Sequence, residues 1–303
     1  MVKWSEGQIE VPSNMALVDK TIVTRHASIR VSETSGKALP ILLLHGSGAS
    51  RWVFDRQMSG PLADVHRMVA IDLPGHGQSS DARDPAVTYT IAGLADVAAT
   101  VLDELGIDRA VVFGWSLGGH VGIELMRTHP AVAGLMLTGT PPVSPGALGL
   151  LRGFHASWDL LLASKRSYTA REAERFMRLC FGDSADPAFL RAILRADGRA
   201  RVTVSKSMMR GDGGDQRRAV ENAPVPVAIV NGADDPFVRL NYLAGLSYAS
   251  LWDQRCHVIE GAGHAPFWQA PEIFKPLFNR FVRSVLAREF AAAGQDNWAA
   301  GAA

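Results

Sequence analysis

Cysteine is scarce: the 303 residues hold only Cys180 and Cys256. Two thiols cannot build the disulfide framework of a secreted domain, so a reduced, cytoplasmic setting is expected, with both acting as small core fillers. An excess of charge is also missing. Lys and Arg number 31, Asp and Glu 30, and the formal net charge of +1 gives no footprint for nucleic acid or an anionic membrane. No apolar run reaches the roughly 18 residues of a membrane span. Residues 1–20 lack the apolar centre and cleavage site of a secretory signal. No His-x-His-x-Asp-His run or Cys/His ligand spacing occurs, so neither a metal nor another cofactor is expected.

What is present is a hydrophobic fraction of 47%, enough for a large core, and an alternation of strands with helices. Residues 21–24 and 29–31 alternate like a hairpin. Strands are predicted at about 40–45, 67–71, 110–115, 134–138, 226–231 and 255–259, and a helix over 91–105. This order predicts an α/β fold: a mainly parallel, twisted sheet with helices on both faces. From 143 to 221 the pattern turns helical, which predicts an inserted helical cap between core segments 1–142 and 222–290. The Ala- and Gly-rich stretch 291–303 is predicted to be a disordered tail.

The most informative segment is Ala110-Val-Val-Phe-Gly-Trp-Ser-Leu-Gly-Gly-His120. An apolar strand runs into Gly114-x-Ser116-x-Gly118 and then into a helical pattern. Small flanking residues let the chain turn sharply, holding a serine hydroxyl exposed above the sheet as a nucleophile. Such a hydroxyl needs a base, an acid that orients the base, and donors for an oxyanion. The expected chain order is Ser, acid, His. His264 suits the base, because it follows a strand in the loop Glu260-Gly-Ala-Gly-His-Ala-Pro266. The acid should follow the strand ending at Asn231, which leaves the adjacent pair Asp234 and Asp235. Leu117, after the nucleophile, and Ser47, in the loop after the strand at 40–45, are the expected backbone oxyanion donors. Gly46-x-Gly48 is a poor dinucleotide site, because Arg51 stands where the third glycine belongs.

Five blocks, His45-Gly46, Asp72-Leu-Pro-Gly-His-Gly-Gln-Ser79, Gly114-Trp-Ser-Leu-Gly-Gly119, Gly232-Ala-Asp-Asp235 and Gly261-Ala-Gly-His264, resemble the α/β-hydrolase superfamily in order. The resemblance implies the α/β-hydrolase fold, and its usual acid spacing selects Asp235. It also makes His45 and His76 structural. A narrower resemblance rests on Val111–His120, Gly139-Thr-Pro-Pro-Val143, Asp197-Gly-Arg-Ala-Arg201 and Gly263-His-Ala-Pro-Phe267. These look like the N-acyl-homoserine lactonases of that fold, the quorum-quenching type. The chain departs from them at Asp235, where that type can carry Glu, and at Ser47, where Asn is expected.

The resemblance implies a serine hydrolase that opens the lactone ring through an acyl-enzyme, with the triad Ser116, Asp235 and His264. Its partner would be a small neutral ester or lactone with an acyl chain. Gly46, Trp115, Phe154, Trp158, Phe176, Phe237 and Phe267 are the candidate substrate contacts, the last two because they closely follow the acid and the base. Arg199 and Arg201 are expected to be solvated or helix-terminal. The triad alone also suits a general carboxylesterase or a carbon–carbon bond hydrolase, since the cap chooses the substrate. A ligand receptor on a hydrolase scaffold is a further alternative. Epoxide hydrolase and haloalkane dehalogenase chemistry would need Asp at the nucleophile position.

Overall fold

The computed structural model describes residues 17–300, with side chains described as far as residue 292. Val18–Val23 (β1) and Ser28–Glu33 (β2) form an antiparallel hairpin at one edge of an eight-stranded sheet. The other strands are Ala38–Leu44 (β3), His66–Ile71 (β4), Ala110–Trp115 (β5), Val132–Thr138 (β6), Val227–Gly232 (β7) and His257–Ile259 (β8). Their order is β1-β2-β4-β3-β5-β6-β7-β8. β2 is antiparallel to β4, and every pairing from β4 to β8 is parallel. The chain steps from β3 to one side and returns with β5 on the other. That reversal opens a crevice beyond the carboxyl ends of β3 and β5, where ligands bind in open α/β sheets.

Burial explains the strands. β5 and β6 are buried along their whole length, as central strands covered on both faces must be. The helices Ile91–Glu104 and Leu117–Thr128 turn apolar faces to this sheet. Phe113 of β5 sits among Phe54, Phe267, Phe274 and Phe278, with ring centroids 5.3–5.5 Å away. Between β6 and β7 the chain forms the helices Ala147–Gly153, Ala170–Phe181, Pro187–Arg195, Gly198–Arg210 and Gln216–Glu221, and adds no strand to the sheet. Their starts are written locally. Thr169 and Glu172 form a capping box, and Asp186 and Asp197 accept from backbone N–H groups in the first turns of their helices. Gly211 ends Gly198–Arg210 in the left-handed region, φ 79°.

Two expectations need correction. The last helix, Pro271–Ala300, runs through most of the stretch predicted to be a disordered tail; residues 301–303 lie outside the described part. Alanine is the best helix former, and the single Gly294 in this run costs only about 1 kcal/mol. The last strand begins at His257 rather than at 255, because Asp253 and Gln254 take positive φ values of 57° and 52° and turn the chain first. Among the described residues no helix is long and apolar enough to cross a membrane.

The loops after β3 and β4 are tied together by a buried charge pair. Asp72 accepts from the backbone N–H of Arg51 at 2.7 Å, from Arg51 Nη1 at 2.5 Å and from the backbone N–H of Gln78 at 2.8 Å. Arg51 also donates to Ser32 Oγ at 2.6 Å and Gln78 Oε1 at 2.8 Å. Neither side chain of the pair is exposed. Asp72→Ala would leave the buried Arg51 with only the partly exposed Asp19, 3.3 Å from Nη2, and would strip the acceptor from two backbone N–H groups, so it should lose about 3–5 kcal/mol of stability in denaturant unfolding.

His45 and His76 pack 5.2 Å apart beside this network. Burial is the largest influence on both, and it pushes the His45 pKa down to about 4 and that of His76 to about 3. The unfolded chain titrates near 6.5 and so binds more protons than the fold in the acid range. Stability therefore rises with pH across this window and is lost as pH falls from about 6.5 towards 4. A series of thermal melts should show that loss. His76→Asn, which keeps a donor for the Pro74 carbonyl that Nδ1 now bonds at 3.0 Å, should make it shallower.

Candidate active site

Ser116 joins β5 to the helix Leu117–Thr128 with φ 54° and ψ −118°, a conformation that strains an L-residue. The surroundings leave no room for side chains. A Cβ on Gly118 would lie 2.0 Å from the Leu44 carbonyl oxygen, and one on Gly119 would lie 2.1 Å from Thr140 Oγ1. The elbow is held from both sides: Ser116 N donates to Thr138 O, and Thr140 Oγ1 donates to Ser116 O, each at 2.8 Å.

His264 is placed by three contacts. Its Nδ1 donates to Asp235 Oδ2 at 2.9 Å, which leaves Nε2 with the lone pair. Trp115 Nε1 donates to its carbonyl at 2.9 Å. Gly139, at φ 64°, admits the ring, since a Cβ there would lie 2.6 Å from Cε1. Asp235 is oriented in turn, its Oδ1 accepting from the N–H groups of Phe237 at 2.8 Å and Val238 at 3.2 Å. Asp234 is exposed, while Asp235 is buried against His264.

Ser116 and His264 border one cavity of about 270 Å³. Ser47, Trp115, Leu117, Phe154, Phe176 and Phe237 line it as well. Leu117 is the first residue of its helix, where an α-helix leaves its N–H without an internal acceptor. A serine, an imidazole oriented by a carboxylate and free backbone donors around one apolar cavity can perform acyl transfer.

Three of the expected substrate contacts do not line this cavity. Trp158 is 86% exposed at the start of the 3₁₀ turn Trp158–Ser164, and Leu160 and Leu161 of that turn line the cavity instead. Phe267 is fully buried against Phe54, Phe113 and Trp115, so it supports the floor of the site. Gly46 lies beside the elbow as a close-approach glycine: a Cβ there would meet Trp115 at 2.9 Å and Ser116 at 3.1 Å.

Other lining residues are not among the expected substrate contacts. His120 lies one helical turn after Ser116, on the same face, and its Nδ1 donates to Gln216 Oε1 at 2.7 Å. Burial holds its pKa down to about 4, so the ring is neutral near neutral pH. Cys180, expected as core filler, borders the cavity one turn after Phe176, and burial pushes its thiol pKa up. Arg201 corrects an expectation too. It is 4% exposed and lines the cavity, while Arg199 is partly exposed and paired with Asp197 and Asp81. Its helical spacing to Val204 and Met208, three and seven residues on, is the available signal, which a charged side chain hides.

The sequence model of the alpha/beta hydrolase family matches residues 41–275. A solved structure of the N-acyl homoserine lactonase AidH complexed with N-butanoyl homoserine is 41% identical, with a TM-score of 0.86, covering 88% of this chain and 97% of that one. A mutant of the same lactonase complexed with N-hexanoyl homoserine is 40% identical, with a TM-score of 0.87, covering 89% and 98%. Among curated relatives, a pimeloyl-(acyl-carrier protein) methyl ester esterase of Neisseria meningitidis is 29% identical over 81% of this chain and 94% of its own length. A 2-hydroxy-6-oxononadienedioate/2-hydroxy-6-oxononatrienedioate hydrolase of a Pseudomonas species is 26% identical over 89% of this chain and 96% of its own. The chain belongs to the alpha/beta hydrolase family and is similar, within it, to N-acyl homoserine lactonase.

Proposed function

We propose that this hydrolase opens the lactone ring of N-acyl-homoserine lactones through an acyl-enzyme on Ser116. The observation that carries the reading is the placement of Ser116 and the Asp235-bound His264 on one largely apolar cavity. Support for the substrate comes from the 40–41% identity to a lactonase whose structures hold N-acyl homoserines.

In the proposed mechanism His264 Nε2 takes the Ser116 proton as Oγ attacks the lactone carbonyl carbon. The N–H groups of Ser47 and Leu117 hold the oxyanion. The ring C–O bond then breaks, and the departing oxygen takes the proton from His264 to become a hydroxyl. The ester left on Ser116 keeps the opened chain. His264 next deprotonates a water, which attacks the ester carbonyl; Oγ leaves, recovers the proton and releases the N-acyl homoserine. Asp235 fixes the imidazole tautomer and stabilises its cationic form. The acyl chain lies against the apolar wall that includes Phe154, Phe176 and Phe237.

The test is incubation with short- and long-chain N-acyl-homoserine lactones, followed by mass spectrometry of the product. Addition of one water at the ring with the amide intact supports the reading. Cleavage of simple esters alone assigns a carboxylesterase, and tight binding without turnover assigns a receptor. Ser116→Ala should lower the rate roughly 10⁴- to 10⁶-fold while the protein stays folded. Asp235→Asn should cost about 10⁴-fold, whereas Asp234→Asn should change the rate less than about twofold. The reverse order would make Asp234 the acid.

A further inference from the structure

Arg201 stands in the cavity wall with one nitrogen unaccounted for. Its Nε donates to the Lys165 carbonyl at 2.7 Å and its Nη2 to the Arg166 carbonyl at 3.2 Å. The guanidinium carbon lies 4.3 Å from the centre of the Tyr168 ring. These contacts fasten the Gly198–Arg210 helix to the loop that leads into Ala170–Phe181. Nη1 is buried and has no hydrogen-bond partner, and among the described residues no carboxylate forms an ion pair with Arg201. A buried donor left unmade is costly, and it is costlier on a cation.

Fastening the loop needs only the two nitrogens that already bond carbonyls. The third belongs to a residue that borders the cavity, in a wall that the same helix continues with Ala200, Val204, Ser205, Met208 and Met209. A series of rings separates this place from the catalytic imidazole. Tyr168 stacks on Phe176 at 5.6 Å, Phe176 meets Phe237 at 6.5 Å, and Phe237 meets His264 at 4.8 Å. An atom beside Arg201 therefore lies away from the scissile bond, along the acyl part of a substrate.

We propose that Arg201 Nη1 donates a hydrogen bond to a neutral oxygen on the substrate's acyl chain, selecting oxo- or hydroxy-substituted chains over plain ones. Two carbonyl dipoles and an aromatic face already surround the charge. The edge formed by Nε and Nη2 already faces two carbonyls, and the cavity is lined mostly by apolar side chains, where a neutral oxygen costs less to desolvate than a carboxylate. A single oxygen acceptor suits the site. Arg201 is thus a specificity-determining residue that also holds the cap together. This inference rests on the acyl-transfer reading of the site, and its test separates the two.

The experiment compares kcat/KM for 3-oxo-acyl and plain acyl homoserine lactones of equal length, and for open-chain N-acyl-alanine methyl esters of the same acyl pair, which keep the oxo group the same number of bonds from the scissile carbonyl. Wild-type protein should favour the oxo chain about 10- to 100-fold, the range of one charge-assisted hydrogen bond. Arg201→Met should bring the ratio close to one, and Arg201→Lys should give an intermediate value. A purely structural role would lower both rates and leave the ratio unchanged. A wild-type ratio near one overturns the proposal without any variant, as does a preference for a carboxylate-ended chain over the oxo chain. If esters show the preference but no lactone is opened, the Arg201 assignment stands and the lactonase reading falls. Lactones opened without the preference give the converse.

Discussion

The site depends on how closely backbones approach around the serine elbow. Gly118 lies against the last carbonyl of β3, and Gly119 lies against Thr140 just beyond β6. A methyl group at either place would push the helix Leu117–Thr128 away from the sheet. That separation would disturb the loop of Ser47, the elbow and the ring of His264 together, because Gly139, at the end of β6, touches that ring. The strain at Ser116, of the order of 1–3 kcal/mol, persists because strands on both sides over-determine the turn. The topology contributes as well. The reversal between β3 and β5 leaves two loops at one crevice, and these loops carry Ser47 and Ser116.

Around that point, the buried charged and catalytic groups are fixed by named partners. Asp72 and Arg51 fix the loops after β3 and β4, and Asp235 fixes the imidazole. His45 is held in one tautomer by the carbonyl of Gly46 at 2.8 Å and the N–H of Leu73 at 3.0 Å. The helical segment between β6 and β7 follows a different rule. It supplies mostly apolar side chains to the cavity, so its polar exceptions, Arg201 above all, are where substrate chemistry can be read.

Much of this was legible in the chain because periodicity and glycine placement are local signals. β5 with its elbow, the strand that precedes Asp234 and Asp235, and the glycine loop around His264 are each written within about ten residues. The acid itself was not resolved by local pattern. Two adjacent carboxylates differ only in direction, and family spacing rather than local pattern selects Asp235, the residue that bonds His264. Phe267 was misplaced for a related reason. Proximity in sequence to His264 says nothing of which way a side chain turns, and the intervening Pro266 starts a short helix that sends the ring into the core. Trp158 differs from expectation because an aromatic on a 3₁₀ turn carries no periodic label in the sequence. His120 and Arg201 were missed because their partners, Gln216 and the carbonyls of Lys165 and Arg166, lie far from them in sequence.

The most direct test of the account is the mass of the protein quenched in acid during turnover of N-hexanoyl homoserine lactone, followed by peptide mapping. Ring opening by the serine loses no atoms. The account therefore predicts an adduct with the mass of the whole lactone, carried by the peptide that contains Ser116. An adduct of the acyl chain without the ring atoms, or one on any residue other than Ser116, would contradict it.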